Sequence, residues 1–433
     1  MALATALEPQ RVVTALEHQA LPITEDGLGA SLTRAEAERL ARLAESRPGF
    51  CELGARQVRL AQYAGIVGLG DRVLEVLPKV DDSASSAEEC RGVLLRLLGR
   101  TERFAHFRHQ AAGQHLRQVP LLEVFIATFF DSVATLARGG LLRQYQPRHE
   151  DVAVVRGRID LGRQFGANAN RPDRLDCHFD ELTADNPWNR VLKKALRCTR
   201  AWIRRADLHR RWAELMGVLD DVDDSGLAVG ELDQLQFTRQ AERYRDAVDW
   251  ARWIIACLAP SLRAGAHEAP ALLFDMNKLF ESAVAAELRL QVRRMPGLSV
   301  DAQDNSRFLG LLVNGEHEES AYRLKPDLVL RRSAAVLCIA DTKWKRVPVD
   351  RRGRLMPAEE DVYQMLAYAA AFGCPELRLI YPWHPGLANA HSGRFMLTTP
   401  QGGASVLRVG CVDVHDDALP LRMGDWLPGA EAL

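Results

Sequence analysis

Among the eight cysteines of this 433-residue chain there is no C-x-x-C pair and no regular spacing, which argues against a zinc site or a disulfide framework. An excess of charge of one sign is missing too: 56 Lys and Arg stand against 57 Asp and Glu, for a formal net charge of -1. A globally basic surface is therefore excluded, and any nucleic-acid contact must come from a local patch. No G-x-x-x-x-G-K-[ST] phosphate loop is present, so the chain is expected to bind no nucleotide of its own. Gly68-Leu69-Gly70 is too short for a nucleotide fingerprint and reads as a hairpin turn. Long uncharged apolar runs are lacking. The most apolar stretch, 120–142, carries Glu123, Asp131 and Arg138, which are costly in a bilayer, and so reads as a buried helix. The first residues have neither the basic region nor the apolar core of a signal peptide, and the chain is expected to be cytoplasmic, with no membrane partner.

What is present is the balance of a globular protein, 47% hydrophobic and 26% charged residues, on a chain long enough for two or three domains. Residues 30–48 have helical periodicity, whereas 57–80 (QVRLAQYAGIVGLGDRVLEVLPKV) alternate apolar and polar residues around Gly68 and Gly70. Residues 81–89 (DDSASSAEE) read as a loop or a helix lead-in. A helix follows Pro120, and 152–161 (VAVVRGRIDL) read as a strand pair or a bulged strand around Gly157. Asn186 before Pro187 is a helix start, an N-cap side chain followed by proline at the first helical position. Helical pattern continues to about residue 258, and 261–270, flanked by Pro260 and Pro270, form the expected boundary. The order then becomes helix, strand, strand, helix, strand. The helix buries Met276, Phe280, Ala283 and Val284; the strands are 322–330 and 336–343; and the second helix spans 359–372 with Val362, Met365, Leu366 and Ala369 inward, before a strand from Leu377. The expected class is α/β (α+β): a β-rich segment 1–110, a mainly helical middle 111–264, and a C-terminal α/β domain 265–433.

Chemistry concentrates in that last segment. Asp341 and Lys343 are two apart on a strand and emerge on one face, and Asp327 meets them if the two strands pair. Two carboxylates converging on one point repel and call for a cation, and oxygen ligands without His or Cys suit Mg²⁺, with Mn²⁺ as the substitute. Phosphodiester hydrolysis needs an activated water and stabilisation of extra negative charge, which a metal and an ammonium group supply. Apolar Val336, Leu337 and Ile339 put these charges at the end of a buried strand, a common place for catalytic groups in α/β domains. A surface ion pair is the alternative for an isolated D-x-K.

Pro326-Asp327 followed by Asp341-Thr342-Lys343 resembles the PD-(D/E)xK nuclease superfamily. LKPDLVL (324–330), ADTKWKR (340–346) and DVYQMLAYA (361–369) are similar to the McrC family, the nuclease subunits of McrBC-type, modification-dependent restriction systems. VRGRIDL (155–161), CHFDELTADNPWNRVLKKAL (177–196) and YAGIVGLGDRVLEVLPKV (63–80) extend the likeness across about residues 62–382. The resemblance implies a restriction-endonuclease-like C-terminal domain, with a mixed central sheet flanked by helices, that cuts double-stranded DNA. It also implies an N-terminal part that binds and stimulates a McrB-like hexameric AAA+ GTPase. Asp327 and Asp341 would hold the metal and Lys343 would orient water or stabilise the phosphorane. Glu281 on the preceding helix would be a further ligand, or an exposed helix glutamate.

Gln364 and Tyr368, at i and i+4 and expected opposite the apolar stripe, would position the lysine or the DNA backbone, or support the structure. Lys345 and Arg346, with Arg351, Arg352 and Arg354, form a basic stretch that holds phosphates or is a solvated loop. Trp344 packs or stacks on DNA. His106, His109, His384 and His391 lack metal-like partners at useful spacing. Two rival readings are a regulatory, GTPase-activating subunit with a weak nuclease and a stand-alone DNA repair nuclease.

Overall fold

The computed structural model describes residues 12–80, 86–101, 104, 118–166, 168, 170–171, 173–223, 237, 239–258, 270–293, 295–314, 317–398 and 403–423. The chain forms two compact units, one of Met1–Ile66, Leu74–Pro120 and Leu273–Leu433, the other of Val67–Val73 and Leu121–Leu272. The boundary expected at 261–270 lies, apart from Pro270, outside the described residues, as do His106 and His109.

The first unit opens with β1 (Val12–Leu16), β2 (Ala20–Pro22), α1 (Arg34–Ser46), β3 (Cys51–Leu53), β4 (Gln57–Leu60), β5 (Tyr63–Gly68), β6 (Val73–Leu77) and α2 (Ala87–Gly99). Both helices begin with capping boxes: the Thr33 and Ser86 hydroxyls accept from the N–H groups of Glu36 and Glu89, whose carboxylates accept from the cap N–H groups in return. β2, β4 and β3 form a small antiparallel sheet. The β5–β6 connection is the expected hairpin turn, closed by the Leu69 N–H on the Arg72 carbonyl at 2.8 Å, with Gly70 at φ 110°.

The second unit contains α3 (Leu121–Arg138), β7 (Gln144–Val152), β8 (Arg158–Ile159), α4 (Leu161–Gly166), β9 (Leu175–Thr183), α5 (Pro187–Thr199), α6 (Ala206–Val218) and α7 (Arg245–Leu258). α3 is the expected buried helix, and its Glu123 carboxylate accepts from the Arg204 N–H at 3.1 Å. Asn186 caps α5 with Pro187 at the first turn, as its sequence indicates. The segment 152–161 differs from expectation: β7 ends at Val152 and only Arg158 and Ile159 pair, with β9. Gly157, at φ 64°, lets the chain come this close to β9, because a Cβ there would collide with the His178 carbonyl.

The chain returns to the first unit with β10 (Ala271–Asp275), which completes a sheet in the order β1-β6-β5-β10, and α8 (Met276–Val292). Then follow β11 (Leu298–Ala302), β12 (Phe308–Asn314), β13 (His317–Arg323), β14 (Leu328–Arg332), β15 (Ala335–Thr342), α9 (Glu359–Phe372), β16 (Glu376–Trp383), β17 (Arg394–Thr398), β18 (Ala404–Asp413) and β19 (Leu421–Met423). A seven-stranded mixed sheet in the order β11-β14-β15-β16-β18-β17, with β19 on β18, forms the heart of this segment. β14 and β15 are antiparallel, whereas β15 and β16 are parallel and are joined by α9 as a crossover.

Glu359, Glu360 and Asp361 in the first turn of α9 complement the helix dipole, and Gly373 ends the helix in the left-handed conformation. Met365, Tyr368 and Ala369 of α9 close over Val329, Ile339, Leu377 and Leu379 of the sheet. Residues 322–330 are not one strand, as their alternation suggests. β13 ends at Arg323, Tyr322 has φ 56°, and Pro326, with no N–H to give to a ladder, lies in the break before β14.

Candidate active site

Leu328 pairs with Ala340 and Val329 with Ile339, so the next step of the same register sets Asp327 beside Asp341. The Asp327 Oδ2 accepts from both the N–H and the hydroxyl of Thr342, each at 2.7 Å. Asp341 is 2% exposed and shares the face of β15 that α9 covers. Its Oδ2 lies 2.6 Å from the Lys343 Nζ, an ion pair held out of water inside the site.

Burial and the neighbouring Asp327 push the Asp341 carboxyl up to about 7, against the pull of Lys343. Burial likewise raises Asp327, although its bonds from Thr342 oppose the shift. Burial and then Asp327 raise Glu281, which accepts from the Gln303 side chain at 2.9 Å. The Gln303 N–H in turn donates to the Asp327 carbonyl at 2.9 Å, so one residue with a left-handed backbone holds both acidic segments. All three carboxyls are raised by burial first, and Asp341 and Glu281 further by the charge of Asp327, which marks acids gathered out of water.

Lys343 is aimed by α9. Its Nζ donates to the Gln364 Oε1 at 2.8 Å, the Gln364 amide donates to the Tyr368 hydroxyl at 2.8 Å, and that hydroxyl donates to the Lys325 carbonyl at 3.1 Å. This relay runs from the lysine to the residue before Pro326-Asp327. Tyr368 does not lie opposite the apolar stripe, as helical spacing suggests. Its ring is buried in the core and only its hydroxyl reaches the relay.

Asp361, 4% exposed, accepts from Tyr381 at 2.8 Å and from Lys345 at 3.0 Å, and its Oδ1 is 4.0 Å from the Lys343 Nζ. Burial works against the Lys345 charge, but bonds to Asp361 and Glu360 outweigh it and raise its pKa. Lys345 is thus tied to α9, and both Lys345 and Arg346 are exposed. A cavity of about 480 Å³ opens here, lined by Asn277, Lys343, Trp344, Lys345, Glu360, Asp361 and Gln364. Trp344 packs rather than presenting its face to solvent: it is 7% exposed, its ring centre is 5.4 Å from that of Phe280, and its Nε1 donates to the Glu17 Oε1 at 2.8 Å. Burial raises Glu17 to about 7.

The McrBC family, described as the 5-methylcytosine restriction system component, matches residues 58–382. The chain belongs to the McrBC restriction-system family.

No curated protein sequence matches it. Its fold is similar to that of a chain in a refined half-complex from a tetradecameric assembly of Thermococcus gammatolerans McrB AAA+ hexamers with bound McrC. The TM-score is 0.63 at 18% identity, over 94% of this chain and 98% of that one. A second chain, from the Thermococcus gammatolerans McrBC complex, aligns at 22% identity over 66% of this chain and 88% of that one, with a TM-score of 0.46. The resemblance drawn from LKPDLVL, ADTKWKR and DVYQMLAYA is thereby borne out. Among the described residues no helix is long and apolar enough to cross a membrane.

The matched span of this McrBC-family chain contains Glu281, Asp327, Asp341, Lys343, Gln364 and Tyr368. Sequence reasoning missed Thr342, Gln303, Asp361, Tyr381 and Glu17. Thr342 was legible inside the D-x-K tripeptide, and Asp361 as an acid one helical turn before Gln364. Glu17, in the segment before the matched span, carries no motif.

Proposed function

We propose that this chain is the DNA endonuclease subunit of a GTP-dependent, modification-dependent restriction complex, acting beside a McrB-like hexameric AAA+ GTPase that it stimulates. The observation that carries the nuclease reading is the buried Asp341 carboxylate, set beside Asp327 at paired strand ends and 2.6 Å from the Lys343 ammonium. An all-oxygen donor set with raised carboxyls fits Mg²⁺ or Mn²⁺. Asp341 and Asp327 would hold the ion, with Glu281 as a further ligand. When bound, the metal supplies Lewis acidity and a water of lowered pKa.

The remaining work falls to the side chains. Lys343, held by Gln364 and Tyr368, places its charge where negative charge develops on the phosphoryl oxygens in the transition state. Thr342 fixes the Asp327 carboxylate by two bonds, so that its other oxygen is free to face the ion. Exposed Arg346 can meet the phosphate backbone of double-stranded DNA, which enters along the open cavity. The absence of a phosphate loop in the sequence fits a partner that supplies GTP hydrolysis.

Reconstitution with a McrB-type GTPase tests this division of labour. Asp341→Ala and Lys343→Ala are expected to abolish cleavage of modified DNA and to leave GTPase stimulation intact. Cleavage unchanged in both variants would overturn the nuclease assignment.

A further inference from the structure

The second unit carries a cluster that the nuclease reading does not use. His149 and His178 are directly opposed on β7 and β9, and their imidazoles stack with centroids 3.9 Å apart and planes at 17°. Asp176, two residues before His178, shares its face of β9, and Asp160 follows β8 on the same side. The His149 Nε2 contacts the Asp176 Oδ1, and the His178 Nε2 lies 3.2 Å from the Asp160 Oδ2. One ligand atom from each of the four residues lies within 4.8 Å of all the others. We propose that His149, Asp160, Asp176 and His178 form a structural site for a divalent transition metal of the zinc type.

Three physical considerations converge on this reading. The first is placement: two carboxylates and two imidazoles stacked at 3.9 Å offer their ligand atoms to one point, where a single shared dication balances both carboxylates at once. Asp176, 3% exposed, otherwise relies on His149 and on Arg163, 3.1 Å away on a side chain that is 60% exposed. The second is ligand type: two imidazoles and two carboxylates in a fourfold set suit zinc, whereas the all-oxygen set of the nuclease site suits magnesium.

The third is how little apolar surface this substructure buries among the described residues. β7 has no buried residue, α4 has none, and β8 is two residues long. The β7–β9 ladder and buried Cys177 hold the two long strands, and a metal would add the cross-link that ties β8 and Asp160 to them. Gly157 lets the chain pass close over His178, which delivers Asp160 to the cluster. Tetrahedral zinc places ligand atoms roughly 3.4 Å apart. The half-exposed His178 and Asp160, at 44% and 32%, can rotate inward by the difference. The scattered cysteines that argue against zinc in the sequence are silent about such a site, since its ligands come from three separate segments.

The test uses the full chain carrying Asp341→Ala, so that the nuclease site does not contribute, stripped with chelator and then titrated with zinc alone. Expected are one zinc per chain, an absorption spectrum of tetrahedral form when Co²⁺ replaces zinc, and a melting temperature raised by zinc. Changing His178, a half-exposed side chain, to Gln should weaken zinc binding by at least ~100-fold, the upper end of what loss of an outer-sphere partner costs. His149→Gln should do the same. Arg163→Ala, which frees Asp176 from its competing cation, should tighten binding several-fold. Absence of bound zinc in the parent, or unchanged affinity in both histidine variants, would overturn the proposal and leave two His–Asp pairs.

Discussion

Replacing Asp341 by Asn should make the metal-free protein more stable while abolishing its activity. Folding raises this carboxyl from 3.8 to about 7, so the native state holds the proton more tightly than the unfolded chain. Wild-type stability therefore falls as pH rises from about 4 to about 7 and is level above that. At 1.36 kcal/mol per unit, the ionised group costs the native state about 4 kcal/mol at pH 8. The asparagine amide remains buried without a full set of partners, at a cost of about 1–2 kcal/mol, so the net gain is about 2–3 kcal/mol at pH 8. At pH 5 the ionisation cost shrinks to about 2 kcal/mol and the two effects cancel. Thermal unfolding of both proteins in chelator at pH 8 and pH 5 measures this directly. The variant should melt several degrees higher at pH 8 and at nearly the same temperature at pH 5, and Mg²⁺ should raise the wild type alone. A variant that melts below wild type at pH 8 would mean that the Asp341–Lys343 pair stabilises the fold, and the argument for a site strained towards cation binding would fail.

Gln364→Leu should lower cleavage about 10-fold or more without changing Mg²⁺ affinity, because it loosens the lysine rather than the ligands; a matched loss of metal binding, read by calorimetric titration, would contradict this. Trp344→Ala should cost about 3–5 kcal/mol in unfolding experiments, as expected of a large buried ring, whereas a neutral effect on stability with weakened DNA binding would make it a stacking residue instead. Glu17→Gln should raise the melting temperature at pH 8 and do less at pH 5, since burial lifts Glu17 from 4.5 to about 7 and the ionised form is the costly one above that pH. Gly157→Ala should destabilise the β7-β9-β8 sheet and speed hydrogen exchange there, the Cβ having no room against the His178 carbonyl; unchanged exchange would refute the strain argument.

The sequence made the centre of the site legible because its determinants are local: D-x-K spacing on a strand, a P-D step before the partner strand, and Q-x-x-x-Y on one helix. Periodicity also found α9, α5 and the β5–β6 hairpin, where caps and turn residues agree with the pattern. It failed where a single residue overrides the alternation, at Pro326, which interrupts a pairing that the neighbours would support. It failed again where partners are distant in sequence. Nothing around Glu17 points to Trp344, and nothing around His149 points to His178 until β7 and β9 are paired. Tyr368 was misjudged for a related reason: a tyrosine can fill a core with its ring and serve a polar relay with its hydroxyl, which a two-class apolar and polar pattern does not capture.

The most direct test of the account is the single-turnover rate of modified-DNA cleavage by the complex of this chain with a McrB-type GTPase, in GTP and Mg²⁺, for wild type and Lys343→Ala. Loss of at least ~100-fold, with Mg²⁺ affinity not weakened and GTP hydrolysis unchanged, is the predicted result, on the scale expected when one transition-state charge partner is removed. A rate within a few-fold of wild type would contradict the assignment of Lys343, and with it the claim that the β14–β15 strand ends form the nuclease centre.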